Sequence, residues 1–349
     1  MARLGLRTLV VDRVALPRNK VCGCCLAPRG VRRLESLGMS SALAGAAALD
    51  GVRLVSEGRS SWLAAPGYLS IGRDALDARL ARLAHAAGAE LLWPASARVG
   101  LDGRVHVTQG QEEAPLRAAV VVVADGLGGL SLREHAGAAW RVGARSRMGA
   151  GALLSRAPLA MDDREVVMLC ERRGYLGIVR LPDGSYDAAA AFDPRAVREA
   201  GGPAALAGEL VRRAGGDGDG VAGARWKATG LLTRRRSALE RRGVIVIGDA
   251  AGYVEPITGE GMTWAIESAA EGARHAAAMA RGAPAGAWTR AHARLLGARR
   301  WRCRVVAEGL RRPMVVRLAQ AAMSAFPNAA GALVARYCAM GRRQMAAGS

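Results

Sequence analysis

The sequence predicts an α/β fold: buried parallel strands of a dinucleotide-binding type, a β-rich middle and a helical C-terminal region. Three observations point there. Thr8–Val11 and Ala119–Val123 are short apolar runs that end near acidic tips, Asp12 and Asp125, as buried parallel strands do. The stretch "GVIVIGDAAGYVEPITGEGM" leads a third such run, Val244–Ile247, into a tight glycine turn and then a long helix. From about Trp140 to Ala191 the pattern turns β-rich, and from Pro284 it is helical with arginine-rich faces.

Taken in order, Ala2 to Leu6 read as a helix end with Gly5 as its exit, and Thr8–Val11 as the strand that follows. The loop "RVALPRNKVCGCCLAP" is too irregular for a strand or helix. Pro28 suits a first helical turn, and Val31, Leu34 and Leu37 recur at helical spacing before Gly38 closes the segment. "GVRLVSEG" and "SSWLAAPGYLSI" are short strands, and "RDALDARLARLAHAAGA" is an amphipathic helix with Leu76, Leu80 and Leu83 on one face. "AELLWPASARVGLDGRVHVTQG" alternates as a β-meander that turns at Asp102-Gly103. Ala119–Val123 reads as fully buried, with a helix entered near Ser131. "GYLGIVRLPDGSYDAAAAFD" is a hairpin across Pro182-Asp183-Gly184, and "GGPAALAGELVRRAGG" is a helix. "GDGDGVAG" reads as a flexible polar loop, "TRRRS" at 233–237 as a solvated strand start, and Pro327 as a helix break. The expected division is 1–50, 72–138 and 236–283 for one domain, 51–71 and 139–235 for a second, and 284–349 for the helical region.

Composition narrows the function classes. A chain of 349 residues at 51% hydrophobic supports a substantial core rather than disorder. No apolar run approaches a membrane span and no signal peptide opens the chain, so a cytoplasmic location is expected. The formal charge of +20 invites nucleic acid, but Lys20 and Lys227 are the only lysines and the arginines spread along the whole chain. Aromatics at 4% are too few for a base-stacking platform, so nucleic acid is not expected as a partner. Weak attraction to anionic surfaces, a peripheral place at a membrane included, is what such charge supports. Cys22 and Cys25 have C-x-x-C spacing, whereas Cys170, Cys303 and Cys338 stand alone. His85, His106, His135, His275 and His292 are scattered without ligand spacing, so no metal site is expected and a redox dithiol stays open.

The segment with the richest chemistry is "IGDAAGYVEPITGEGM". Its strand delivers Asp249 to a loop where Ala250, Ala251 and Gly252 let a ligand approach the backbone closely. Pro256 stiffens the bend, and Gly259-Glu260-Gly261 opens a helix whose N-terminal amides can hold electron-rich oxygens. The full string resembles the second flavin-binding motif of the p-hydroxybenzoate hydroxylase-like flavoproteins. "VVVADG" is similar to that superfamily's Asp-Gly motif. "LPRNKVCGCCLAP" resembles the F-P-R-x-K-x-C-G loop of its geranylgeranyl reductase branch, and "SIGRDALDARLARLAHAAGAEL" resembles the branch's R-x-x-L-D-x-x-L helix. The resemblance runs from Met1 to about residue 300, loosely through the β-rich middle. There "RRGYLGIVRLPDG" stands in place of the branch's aromatic-rich substrate motif.

The resemblance implies a glutathione-reductase-type, Rossmann-like FAD-binding domain with an inserted antiparallel β-sheet substrate domain. It implies FAD as cofactor, with NAD(P)H or another reductant as electron donor. It places Asp249 at the pyrophosphate and ribityl chain, Gly259 to Met262 by the pyrimidine edge of the isoalloxazine, and Asp125 and Gly126 near the pyrophosphate. Asp12 falls at the adenosine ribose and Arg73 at FAD. Arg13, Arg18 and Lys20 join the set as phosphate or ribose ligands, with Ala250, Gly252, Pro256 and Gly261 around the second motif. Cys22 and Gly23 fall alongside the flavin ring. Cys22 and Tyr175 are the catalytic candidates, as a thiol and as a pocket wall or proton donor. Ordinary readings stand beside these: Cys22 as a small buried residue, Tyr175 as a strand residue with a satisfied hydroxyl, Arg18 and Lys20 as solvated charges.

The implied chemistry is hydride transfer from reduced FAD to an unsaturated lipid, isoprenoid or polyketide-type substrate, or else aromatic or polyketide monooxygenation. A non-catalytic basic protein is the alternative from outside enzymology. Members of the superfamily open with a strand and G-x-G-x-x-G some twenty residues before the position of Leu4, a unit not found in this sequence. A central strand buries about five side chains, each worth roughly 1.5–3 kcal/mol. Their sum, about 7–15 kcal/mol, rivals a domain's net stability. A translation start upstream of Met1 is therefore expected, with a crippled fragment as the alternative.

Overall fold

The computed structural model describes residues 1–135, 139–241 and 243–326; Pro327 and Cys338 lie outside the described residues. A 3₁₀ turn at Ala2–Leu4 ends at Gly5, whose φ of 76° needs no side chain, and leads into β1 (Thr8–Val11). The following loop stays irregular except for β2 (Cys25–Leu26). In α1 (Pro28–Ser36), Pro28 occupies the first turn and Leu34 is fully buried, as the spacing predicts. β3 (Ala47–Ser56) and β4 (Arg59–Ser70) pair as a hairpin, and α2 (Arg73–Ala86) buries Leu76.

β5 (Ala89–Leu92) departs from the expected meander. It lies parallel to β1, from Thr8 opposite Ala89 to Val11 opposite Leu92. A parallel pair needs a crossover, and α2 supplies it. The meander begins after Pro94, with β6 (Ser96–Val99), β7 (Val105–Gln109) and β8 (Glu112–Leu116), and turns at Asp102-Gly103. β9 (Val121–Val123) is shorter and less buried than the apolar run suggests, because Val121 and Val122 also line a cavity. The helix expected near Ser131 is instead two 3₁₀ turns, Gly126–Gly128 and Leu130–Leu132, broken by Gly129 at φ 56°.

β10 (Trp140–Val142), β11 (Met148–Leu154), β12 (Glu165–Glu171), β13 (Gly174–Arg180) and β14 (Tyr186–Phe192) follow, the last two as the expected hairpin. α3 (Pro194–Glu199), α4 (Pro203–Arg213) and α5 (Gly218–Ala222) come next. α5 overturns the loop reading of "GDGDGVAG". The Asp217 side chain accepts the Gly220 N–H at 2.8 Å, and Val221 is buried in the core. The rest of the chain forms β15 (Lys227–Leu231), β16 (Arg234–Arg236), β17 (Glu240–Arg241), β18 (Val244–Val246), β19 (Gly252–Tyr253), α6 (Gly261–Ala280), α7 (Trp288–Gly309) and α8 (Pro313–Ala325).

The largest sheet has eight strands in the order β15-β11-β14-β13-β12-β3-β4-β2. Its period-two alternation sorts two faces: Val167, Leu169 and Leu176 pack into one core with α4, while Val166, Met168 and Gly177 line the cavity. β9 and β18 run parallel, with β17 on the far edge of β18. The expected solvated start at 233–237 is also corrected. Arg236 is buried, its guanidinium 4.2 Å from the Trp140 ring centroid, donating to the carbonyls of Ala250 (2.9 Å) and Gly129 (3.1 Å). Arg234 packs on Trp140 as well, at 5.3 Å.

Candidate active site

A cavity of ≈ 2410 Å³ runs from β1 past β9 and α6 and along the face of the large sheet. Small-molecule sites are usually about 300–1,000 Å³. This one exceeds that range. Asp12, Arg13, Arg18, Lys20, Cys22, Gly23, Arg73, Asp125, Gly126, Asp249, Pro256, Gly259, Gly261, Met262 and Tyr175 all line it. Ala250 and Gly252 stand behind the wall. The Ala250 carbonyl accepts from Arg236 and that of Gly252 accepts from Arg300 at 2.6 Å. A Cβ on Gly252 would sit 2.9 Å from the Arg234 carbonyl, so this glycine lets β19 pass close to β16.

At the outer end, Asp12 is held at the tip of β1 by the Val14 N–H (3.1 Å) and by Arg18 (2.7 Å). Lys20 and Arg73 both pair with Asp77, at 2.7 and 2.9 Å, so the loop cations are anchored rather than freely solvated. Burial pushes the Asp77 carboxyl up, and Arg73 and Lys20 together bring it below the usual range. Sequence reading passed over Asp77, although its place four residues after Arg73 on one helix was a usable signal.

In the middle, burial raises the Asp249 carboxyl to about 6 against the pull of Arg73. The Gly248 N–H donates to Ser268 Oγ at 2.8 Å and fixes this turn to α6. Gly23 and Gly126 have no atom within 4 Å of where a Cβ would stand, so their backbone is bare to the cavity. These features fit FAD. Arg18, Lys20 and Arg73 suit a diphosphate, Asp12 suits a ribose diol, and the glycines and the α6 N-terminus give close approach and partial positive charge.

The inner end holds the thiols. Cys24 beside Cys22, and then the Arg73 guanidinium, bring the Cys22 thiol down to about 6 against burial. Cys25, the partner suggested by C-x-x-C spacing, lies opposite Ser70 in the sheet and also lines the cavity, and burial raises its thiol. Asp187, on β14, approaches Cys24; burial and then Cys22 push its carboxyl well above the usual range. Its Oδ2 has no hydrogen-bond partner among the described residues. One acid inside "YDAAAAF" was the signal for it. The Tyr175 ring faces the cavity, but its hydroxyl donates to Glu255 Oε2 at 3.3 Å, and burial raises the phenol. Glu255 also takes Arg147 at 2.9 Å and Arg311 at 3.2 Å. Among the described residues, no group of histidine, cysteine and acidic side chains is placed to hold a metal.

Over residues 1–296 the chain matches the family described as FAD binding domain. It is 28% identical over 313 residues to a menaquinone reductase of Mycobacterium tuberculosis, covering 76% of this chain and 70% of that protein. A flavoprotein/dehydrogenase of Cytophaga hutchinsonii superposes with a TM-score of 0.75 at 16% identity, covering 89% of this chain and 82% of the other. A geranylgeranyl bacteriochlorophyll reductase-like protein of Thermoplasma acidophilum gives 0.73 at 19% identity, covering 89% and 83%. At such identities the structural likeness is one of fold.

Proposed function

We propose, because this chain belongs to the FAD binding domain family and is an FAD-dependent oxidoreductase, that it reduces a carbon–carbon double bond in an unsaturated lipid, isoprenoid or polyketide-type substrate. The observation that carries this reading is the inner half of the cavity. Beyond Cys22 its walls are Leu49, Val52, Leu54, Leu63 and Met168, continuing to Val306 and Met323. So apolar a chamber suits a long hydrocarbon and offers little to a charged substrate. The relative named menaquinone reductase supports a reduction.

FAD, when bound, supplies the hydride, and NAD(P)H or another reductant restores it. The chain's own residues bind and orient. Arg18, Lys20 and Arg73 hold the diphosphate, Asp12 the ribose, and Gly259 to Met262 the ring edge. Cys22, mostly thiolate at neutral pH, sits at the junction of the polar and apolar halves. Asp187, whose carboxyl burial pushes well above the usual range, stands beside Cys24 and does not itself line the cavity. The apolar walls exclude water.

The test is anaerobic. Photoreduced, FAD-loaded protein is mixed with a menaquinone or a geranylgeranyl lipid, and the product is weighed by mass spectrometry. A gain of one hydrogen pair without dioxygen is expected. Product that forms only with dioxygen, and gains oxygen, overturns the reductase.

A further inference from the structure

Helices α7 and α8 leave an unusual amount of apolar side chain exposed. Trp301 (63% exposed) and Val305 lie one turn apart on α7, as do Met314 and Leu318 (66% exposed) on α8, with Phe326 just beyond. Other residues anchor each helix. Trp288, Leu296 and Cys303 are fully buried, Gln320 donates to the carbonyls of Leu54 (3.3 Å) and Arg59 (3.2 Å), and Arg317 pairs with Glu57. Among the described residues, these apolar side chains stay outside the packed core.

Charge completes the surface. Residues 288–326 contain nine arginines and a single acid, Glu308, which is taken up by Arg145 and Arg311. Arg290, Arg294, Arg304 and Arg312 are exposed. Val306 of α7, Met323 of α8 and Leu310 between them line the cavity. No helix among the described residues is long and apolar enough to cross a membrane.

We propose that helices α7 and α8 dock on a bilayer rich in anionic lipid, lying in its interface with the cavity mouth beside them. Interleaved arginine and large apolar side chains on helices that cannot span are the signature of an interfacial surface. A nucleic-acid backbone would satisfy the arginines and leave Trp301 and Leu318 without gain. A second copy of this face would set arginine clusters against each other. Lipid entering through the mouth rests on the substrate reading above; docking does not.

The test is co-sedimentation of the full-length, FAD-loaded chain with phosphatidylcholine vesicles, with and without phosphatidylglycerol. Wild type is expected to bind the anionic vesicles and largely ignore the neutral ones. Trp301→Ser with Leu318→Ser should weaken that binding at least about tenfold. Arg290→Gln, Arg294→Gln and Arg304→Gln together should weaken it about a hundredfold. FAD uptake should stay unchanged in both variants, which shows that folding is intact. Equal binding by the apolar variant overturns the proposal, as does equal binding to both vesicle types. Self-association that either variant abolishes, or displacement by duplex DNA that the apolar variant does not alter, overturns it too. Docking that holds in a protein that reduces no lipid leaves the proposal standing and removes the substrate reading.

Discussion

At the scale of single residues, Cys22 stands apart from the other thiols. Its ionisation near pH 6 is set first by Cys24 and then by Arg73, whereas burial raises Cys170 to about 12 and Cys303 to about 11. A lowered thiol is thiolate above its midpoint, so iodoacetamide labelling of Cys22 in the flavin-free protein should rise through about pH 6 and level off by neutral pH. A Cys338→Ser background keeps that thiol out of the measurement. Cys24→Ala should move the midpoint up further than Arg73→Met does; labelling that climbs only above pH 8 contradicts the assignment. The site was unevenly legible at this scale. Cys22, Arg73 and Asp249 stand in contiguous motifs, where backbone spacing alone fixes their neighbours. Asp187 and Glu255 were missed because each meets its partners only when a distant strand is folded over the loop, and no local spacing records that approach.

Among elements, the junction of α6 and α7 is the most exacting. Arg299 of α7 pairs with Glu260 at 2.6 Å and with Glu267, which Arg29 of α1 also contacts, and all four side chains are largely out of solvent. Trp264 Nε1 adds a hydrogen bond to Glu260 at 3.2 Å. Glu260 immediately precedes the first residue of α6, so the cluster fixes the helix end that faces the cavity. Arg299→Met takes a buried ion-pair partner from both Glu260 and Glu267, and should cost about 3–5 kcal/mol in urea unfolding. A loss below about 1 kcal/mol would mean that the carboxylates find water or other partners. Helices α2, α4 and α6 were readable from their period. β5 was misassigned because alternation does not reveal whether a strand joins its chain neighbour or crosses over a helix. α5 was missed because glycine and aspartate, poor inside helices, are good at the cap that starts this short one.

For the molecule as a whole, the cavity is the common boundary of β1, β9, α6 and the large sheet, so filling it should tighten all of them together. FAD at about a hundredfold its dissociation constant should stabilise the fold by about 2.7 kcal/mol. A thermal melt should record this as one upward shift. Gly23→Val fills the open space above the loop backbone. It should leave the flavin-free melt within about 0.5 kcal/mol of wild type, yet remove the FAD-induced shift. A retained shift would mean that the cofactor lies elsewhere. Which segments build the sheets was legible; the eight-strand order, with β12 parallel to β3, was not, since it follows from contacts between runs over a hundred residues apart. β1 itself pairs with β5 alone among the described residues and shows Leu9 and Val10 at 42% and 39% exposure. Both side chains also line the cavity, so a ligand that fills it covers apolar surface of this strand as well.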